Sequence, residues 1–317
     1  MTPKTTLEED FVYQFAAPKE FGKGGKTVCF AARASGLYRS TNSGLTWQPA
    51  FASLNLQETL PALAVTIPPN PEEDPSVFVG WNGGILRSSD SGQNWESTQL
   101  PSPPPVVSAL VISPNFVQDG MLFAGTLEDG VLRSTDRGRH WVTWNFGLLD
   151  LYILSLVISP GFDTDETIFA GTPSGIFRST NGGRAWREVL LPGGFRAILS
   201  LAISPDFTRE ATLFAGTEKH GLLRTRDGGQ TWKRGGKPVF TKPINAILLD
   251  PGYPRRPGIL ILHGSALLAS WDDGETWEPW HEATLAGKDI AAVYAPKGFG
   301  PKKRVLVGLL NGAVQRI

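Results

Sequence analysis

Hydrophobic residues fall along this chain in short runs that Gly, Pro, Asn and Asp separate. One stretch holds three such runs: SALVISP at 108–114, LFAGT at 122–126 and GVLRS at 130–134. Runs of this length, bounded by turn residues, predict β-strands. The first run is nearly all apolar, which predicts a strand buried on both faces. A more variable fourth run follows, so the stretch predicts a unit of four short strands.

The unit recurs along the chain. An eight-residue string follows the third run of six units and always carries Gly at its fifth position and Trp at its eighth: STNSGLTW (40–47), SSDSGQNW (88–95), STDRGRHW (134–141), STNGGRAW (179–186), TRDGGQTW (225–232) and SWDDGETW (270–277). The tryptophans are 45 to 48 residues apart. Four predicted strands at a fixed period of this length are typical of a propeller blade.

The first run of the unit occurs seven times, at 11–17, 62–68, 108–114, 154–160, 199–205, 245–251 and 291–296. The seventh unit ends at Ile317 after three strands. Residues 3–9 precede the first inner strand and are predicted to supply the outer strand of the last blade, which would close the ring without a long free edge. Without that closure, the alternative is six blades with an appended hairpin-like unit.

The predicted fold is therefore all-β. It is a single seven-bladed β-propeller of four-stranded antiparallel blades over residues 1–317, in which the N-terminal strand completes the last blade. The predicted blades start near residues 11, 61, 106, 153, 197, 243 and 290.

The pattern [ST]-x-[DN]-x-G-x-x-W of the six strings resembles the Asp-box, or BNR repeat. This repeat is found in sialidases, sortilin-type receptors, xyloglucan-active glycoside hydrolases and the photosystem II assembly-factor propellers. The resemblance implies a propeller fold. It does not select a function, because these families do unrelated things on similar rings.

The residues of the strings predict a structural turn between the third and fourth strands. The Asp accepts backbone N–H groups, the Gly supplies a positive φ and the Trp covers the turn. Asn42 and Asn181 replace the Asp in two copies, and an amide cannot act as a general base. His140 stands where other copies have Thr, Asn or Ala. The predicted structural positions are Asn42, Gly44, Trp47, Asp90, Gly92, Trp95, Asp136, Gly138, Trp141, Asn181, Gly183, Trp186, Asp227, Gly229, Trp232, Asp272, Gly274 and Trp277.

Composition excludes several function classes. The 30 Lys and Arg residues balance the 30 Asp and Glu residues, so no broad field favours nucleic acid. No apolar window is long enough for a membrane span, and no signal peptide is visible. The four histidines lie in four different units and the one cysteine stands alone, so we expect no metal site and no cofactor. A cytoplasmic protein is expected, unless an export signal has been removed.

Candidate binding residues lie in loops on the face opposite the repeated strings, where the blades differ from one another. They either line a polar pocket with aromatic walls or form an ordinary wet surface. The predicted binding residues are Trp81, Glu128, Asp129, Asp150, Tyr152, Arg196, Glu218, Lys219, His220 and His263.

An Arg precedes five of the strings, at positions 39, 87, 133, 178 and 224. These side chains either pair with neighbouring carbonyls and carboxylates or form a basic ring for an acidic partner.

The predicted function is a non-catalytic protein-binding or scaffolding propeller, as a subunit or assembly factor of a larger complex. Its expected partner is another protein or protein complex, with a glycan as a further possibility. The alternative is a glycan-binding protein or a sialidase-like glycoside hydrolase that uses acidic residues on the same face. No catalytic residue is assigned, because the chain lacks the Arg-Ile-Pro string that a resemblance to sialidases would imply. Likewise, xyloglucan-active enzymes resemble two propellers in tandem, and this chain predicts one.

Overall fold

Each repeat unit forms one antiparallel sheet whose strands follow chain order, because the connections between the apolar runs are short. The computed structural model describes residues 10–22, 27–194, 197–235 and 240–317. These residues form seven sheets in a ring, so the chain is a seven-bladed β-propeller, as predicted.

The strands of the first four blades are β1 Val12–Ala16, β2 Cys29–Arg33, β3 Gly36–Ser40 and β4 Gln48–Pro49; β5 Ala64–Thr66, β6 Val77–Trp81, β7 Gly84–Ser88 and β8 Glu96–Ser97; β9 Val107–Ile112, β10 Leu122–Thr126, β11 Val131–Ser134 and β12 Val142–Thr143; and β13 Ser155–Ile158, β14 Ile168–Gly171, β15 Ile176–Ser179 and β16 Arg187–Glu188. Those of the last three are β17 Ile198–Ile203, β18 Leu213–Thr217, β19 Leu222–Thr225 and β20 Lys233–Arg234; β21 Ile244–Leu249, β22 Ile259–His263, β23 Ala266–Ser270 and β24 Glu278–Pro279; and β25 Ile290–Tyr294, β26 Leu306–Leu309 and β27 Val314–Arg316.

Helical structure is confined to short turns between strands. The four-residue helices are α1 Phe116–Asp119, α2 Phe162–Asp165, α3 Phe207–Glu210 and α4 Glu282–Leu285. Phe116 of α1 packs edge-on against Phe78 of the preceding blade, with ring centroids 5.7 Å apart. The pairs Phe123–Phe162 and Phe169–Phe207 repeat this contact around the ring. The helices α1, α2 and α3 therefore join blades 3, 4 and 5 to the blade before each of them.

The ring closes between blades 7 and 1. The Tyr294 hydroxyl donates to the carbonyl of Ala17 at 2.9 Å, and Arg316 Nη1 donates to the carbonyl of Ser43 at 3.2 Å. On its other side, blade 7 shares an apolar core with blade 6. The alternative of six blades with an appended unit is therefore wrong. The seventh sheet has three strands among the described residues, and the outer strand predicted at residues 3–9 lies outside them.

The second strand of each blade is more buried than the first, and this corrects the expectation that the first strand is buried on both faces. All residues of β10 and β18 are buried, whereas only Val107 and Leu110 of β9 are buried and its other residues are half-buried. The physical reason is that the first strands line the central channel, so that part of their surface faces the channel instead of a neighbouring blade.

The hydrophobic core is divided into seven clusters, each between two adjacent blades. The cluster between blades 7 and 1 contains Cys29, which is fully buried beside Phe15 and Leu306. Burial raises the pKa of the Cys29 thiol to about 12, so this thiol packs as a small apolar group.

Candidate functional site

The propeller has two faces with different loops. We call the face that carries the six eight-residue strings the turn face; it also holds the connections between the first and second strands. The opposite face, which we call the loop face, holds the connections between the second and third strands. It also holds those that lead from one blade into the next.

The eight-residue turns share one hydrogen-bond pattern. In the third turn the Ser134 hydroxyl accepts the N–H of Gly138 at 2.9 Å and donates to Asp136 Oδ1 at 2.9 Å. The same Oδ1 accepts the N–H groups of Arg139 and His140 at 3.1 and 3.0 Å. In the fourth turn Asn181 Oδ1 accepts the N–H of the residue four positions on, Ala185, at 2.9 Å. An amide oxygen therefore serves this turn as a carboxylate oxygen does.

The hydrogen bonds hold Asp136 in its ionised form. Partial burial alone would raise its pKa, but donors from His140 and Ser134 outweigh burial and set the pKa at about 2. His140 adds its ring nitrogen Nδ1, which contacts Asp136 Oδ2 at 2.5 Å. The hydrogen bonds to the Asp136 carboxylate come from residues of its own turn, so this side chain serves as a structural acceptor.

Two of the arginines that precede the turns bond to the next blade, and a third stacks on an aromatic ring of its own blade. Arg39 Nε donates to the carbonyl of Ser91 in the next turn at 2.7 Å, and Arg224 Nη1 donates to Asp273 of the next blade at 3.0 Å. The Arg133 guanidinium lies 4.1 Å from the Trp144 ring centroid. These guanidinium groups therefore contact carbonyls, carboxylates and aromatic rings of the protein itself.

Two loops of blade 3 bring four of the predicted binding residues together. Glu128 and Asp129 are exposed between β10 and β11, and Asp150 and Tyr152 lie between β12 and β13. A bridge between Leu127 and Tyr152 joins the two loops. The loop face of blade 3 is thus acidic and carries one half-exposed tyrosine.

Asp150 ties blade 3 to blade 4. Its Oδ1 accepts the N–H of Tyr152 and its Oδ2 accepts the N–H of Ser174, each at 3.0 Å. Burial opposes ionisation, but these hydrogen bonds lower the pKa of Asp150 below its usual value. Asp150 is therefore a fixed negative charge at the border of the two blades.

The other predicted binding residues do not join this group. Glu218, Lys219 and His220 are exposed on the loop of blade 5, two blades away, where Lys219 Nζ lies 3.8 Å from Glu218 Oε2. His263 of blade 6 accepts the N–H of Lys242 at 3.0 Å through Nε2. Burial and the Lys242 charge lower the pKa of His263, which keeps this acceptor neutral.

Trp81 and Arg196 complete the predicted set. Trp81 ends β6 and packs half-buried against the core between blades 1 and 2. Arg196 lies outside the described residues. The described members of the set are thus spread over blades 2, 3, 5 and 6, and only the blade 3 residues meet.

Sequence reasoning found Tyr152 but missed the exposed apolar residues near it in the chain. Phe146 and Leu149 are 80% and 79% exposed, and Leu151 and Tyr152 are 38% and 40% exposed. Leu190, on the next interblade connection, is 87% exposed. The sequence feature that could have indicated these exposed residues is FGLLDLY at 146–152, an apolar run in a connection where no strand begins. We call Phe146, Leu149, Leu151 and Tyr152 the apolar patch.

The central channel offers no charged group for chemistry. It has a volume of about 510 Å³ and is lined by the first strands, and the described residues that line it include no Asp, Glu, Lys, Arg or His. The hydroxyls of Ser108 and Ser200 donate to carbonyls of the adjacent blade, those of Ile153 and Ile244, at 2.7 and 2.8 Å. These hydroxyls therefore serve to connect the inner strands.

A clustered set of metal ligands and a membrane-spanning helix are both absent from the described part of the chain. No group of three or more His, Cys, Asp or Glu side chains there is placed to hold a metal ion. No helix in that part is long and apolar enough to cross a membrane.

Comparisons with known proteins give a fold and no family. No protein-family model matches the chain, and no curated protein matches it. The extracellular domain of BT4673 from B. thetaiotaomicron superposes with a TM-score of 0.72 at 18% identity, over 98% of this chain and 38% of that one. The GH74 xyloglucanase from Xanthomonas campestris superposes with a TM-score of 0.71 at 17% identity, over 97% of this chain and 52% of that one.

A third similar structure is YCF48 bound to D1 peptide, with a TM-score of 0.71 at 15% identity. The match to YCF48 covers 97% of this chain and 91% of that one. By contrast, the chain spans about half of the xyloglucanase and less than half of the BT4673 domain. At these identities the likeness concerns the fold alone, which is that of a seven-bladed β-propeller.

Proposed function

We propose that this chain is a non-catalytic scaffold that binds another protein through the apolar patch, as a subunit or assembly factor of a larger complex. We further propose that its eight-residue turns are Asp-box repeats that serve only to build the ring. The observation that carries the proposal is the exposure of Phe146 and Leu149, at 80% and 79%. Clustered apolar side chains that face water are typical of protein-binding surfaces.

The charges around the patch specify the partner's chemistry. Glu128, Asp129 and Asp150 lie on the two joined loops of blade 3, and Glu188 is exposed just before Leu190. A partner segment that fits this surface presents apolar side chains flanked by Lys or Arg, because opposite charges at the rim steer association. YCF48, a ring of similar length, is a structure solved with a bound peptide, which supports the same use of this fold.

Substitution of the patch tests the proposal. We expect Phe146→Ser with Leu149→Ser to abolish stoichiometric co-purification of the partner from the source cell. The melting temperature should stay near that of the parent, since both side chains are exposed. The matched control is Leu45→Ser with Leu56→Ser, which removes two side chains that are 59% and 46% exposed elsewhere.

The control variant should retain the partner. The proposal fails if the patch variant also retains it, or if the parent protein recovers no stoichiometric partner. A photo-crosslinking residue placed at position 146 should form crosslinks to the partner. If a residue placed at position 45 formed the crosslinks and the one at 146 did not, the partner would bind on the turn face.

Glycan binding or hydrolysis is the alternative, favoured by the exposed carboxylates of Glu128 and Asp129 beside Tyr152. A hydrolase needs one carboxyl group with a raised pKa to act as the acid. The pKa of Asp150 is lowered instead, which speaks against this residue in that role. The test is turnover of xyloglucan or a sialoside by the parent and by single alanine variants of Glu128, Asp129, Asp150 and Glu218. Turnover by the parent that one of these variants loses would favour hydrolysis over protein binding as the function.

A further inference from the structure

A second charged feature lies on the turn face, where blades 7 and 1 meet. The connection between β25 and β26, together with Phe21 and Gly22 after β1, encloses a cleft of about 300 Å³ there. Four of its six lining residues are cationic. The lining residues are Phe21, Gly22, Lys297, Lys302, Lys303 and Arg304.

Little negative charge offsets these cations. Lys297 Nζ lies 3.8 Å from Glu20 Oε2, and the Glu20 side chain is 68% exposed. Lys302 and Lys303 are exposed, and their side chains have no hydrogen bond or ion pair with any other residue that the structure describes. The pKa of Arg316 is lowered, first by burial and then by the positive charge of Arg304, so these two guanidinium groups lie close to each other. The formal charge of the whole chain is zero, so this is a local concentration of positive charge.

The backbone around the cleft is held in place. Arg304 Nη1 donates to the carbonyl of Gly22 at 3.2 Å, and Gly22 has a φ of +80°. A Cβ at Gly22 would lie 3.2 Å from Arg304 Cδ, so the absence of a side chain there admits the arginine. Lys302 has a φ of +66° in a turn that the N–H of Lys303 closes onto the carbonyl of Gly300 at 3.0 Å. A fixed turn removes the cost of ordering the backbone on binding, so that only the lysine side chains remain to be ordered.

We propose that this cleft binds a phosphate group, whether free or carried by a lipid headgroup. Two ammonium groups that have no partner among the described residues, and one anchored guanidinium, match the charge and the acceptor oxygens of a phosphate. The volume suits a small anionic group, since small-molecule pockets begin at roughly this size. Phe21 is buried and offers no stacking surface, so the ligand is recognised by its charge. The site is distinct from the apolar patch, which lies at blade 3.

Titration with inorganic pyrophosphate and sedimentation with vesicles test the site on the full chain. We expect pyrophosphate to bind the parent at low salt, and Lys302→Gln with Lys303→Gln to weaken binding about tenfold through lost charge-assisted hydrogen bonds. The equal-charge control, Lys233→Gln with Arg255→Gln, should change affinity by less than about threefold, because both residues lie outside the cleft. Both variants change exposed side chains, and circular dichroism melting should confirm that they fold.

The vesicle arm identifies the source of the phosphate. Sedimentation with phosphatidylcholine vesicles that contain phosphatidic acid, but not with phosphatidylcholine alone, supports a lipid headgroup if the cleft variant loses it and the control keeps it. Pyrophosphate binding without vesicle binding supports a free phosphate compound. The proposal is overturned if the parent binds neither probe, or if the cleft variant and the control lose binding to the same extent.

Discussion

The eight-residue turns of the turn face and the loops of blade 3 on the loop face both contain aspartates, aromatic residues and glycines. In the turns these residues recur at one period, and their polar atoms face inward to each other, as in the bonds from Ser134, Arg139 and His140 to Asp136. In the blade 3 loops they occur once, and Phe146 and Leu149 face water. The residues that recur in every turn bond to one another, whereas the residues that occur only in the blade 3 loops are exposed to solvent.

The physical reason lies in what a ring requires. Every blade must pack on its neighbour, so the same contacts are needed at each interface, whereas a binding surface needs one set of groups at one place. Substitutions at the recurring positions of the eight-residue turns should therefore change stability, and those of the exposed apolar residues in the blade 3 loops should change binding.

The largest effect is expected at a turn glycine. Gly138 has a φ of +75°, and a Cβ there would lie 2.5 Å from Phe78 Cε1 of the preceding blade. Gly138→Ala should lower the free energy of unfolding by about 2 to 4 kcal/mol, because backbone strain and overpacking add. Urea denaturation followed by tryptophan fluorescence measures this.

Gly287→Ala is the matched control, because Gly287 has a φ of +70° and nothing within 4 Å of an added Cβ. It should cost about 1 kcal/mol from backbone strain alone. Equal losses in the two variants would show that the turn glycine is needed for its φ and not for the contact between blades.

A smaller effect is expected at Asp136. Asp136→Ala should lower the free energy of unfolding by about 1 to 2 kcal/mol through lost turn hydrogen bonds and leave partner binding intact. Asp136→Asn should cost less, because Asn181 already fills the equivalent position. A loss of binding at unchanged stability would contradict the structural role.

The pH dependence of the parent sharpens this test. The folded pKa of Asp136 is about 2, below the ordinary value of 3.8, so its stabilising contribution is present above pH 4 and lost as the pH falls toward 2. The stability difference between the parent and Asp136→Asn should shrink over that window. A constant difference down to pH 2 would mean that ionisation of Asp136 does not stabilise the fold.

The smallest effect is expected at His263, a loop-face residue with an internal contact. Its pKa is lowered in the folded state, so its contribution is present above its ordinary value of 6.5 and lost as the pH falls through the folded pKa. Intrinsic amide exchange slows as the pH falls through this range, so we expect exchange at Lys242, whose N–H His263 accepts, to show an excess over the intrinsic rate as the pH falls. His263→Gln should remove that excess, and its persistence in the variant would assign it to another group.

The sequence alone was sufficient for the architecture. The period of the tryptophans, the turn residues and the alternation of apolar runs are local properties, and each blade repeats them, so an error in one unit is corrected by the next. The turn residues could also be interpreted locally, because an Asp at the third position and a Gly at the fifth bond within eight residues.

Only the tertiary structure decided which surfaces are exposed and which charges meet. The apolar run at 146–152 marks a connection between blades, but only the fold shows that Phe146 and Leu149 face water while Leu148 between them is buried. His263 reads like a free loop residue, yet Lys242 reaches it from the preceding connection. Gly22 and Arg304 stand at opposite ends of the chain and meet because the ring closes. Contacts of this kind depend on residues far apart in sequence, and local patterns carry no information about them.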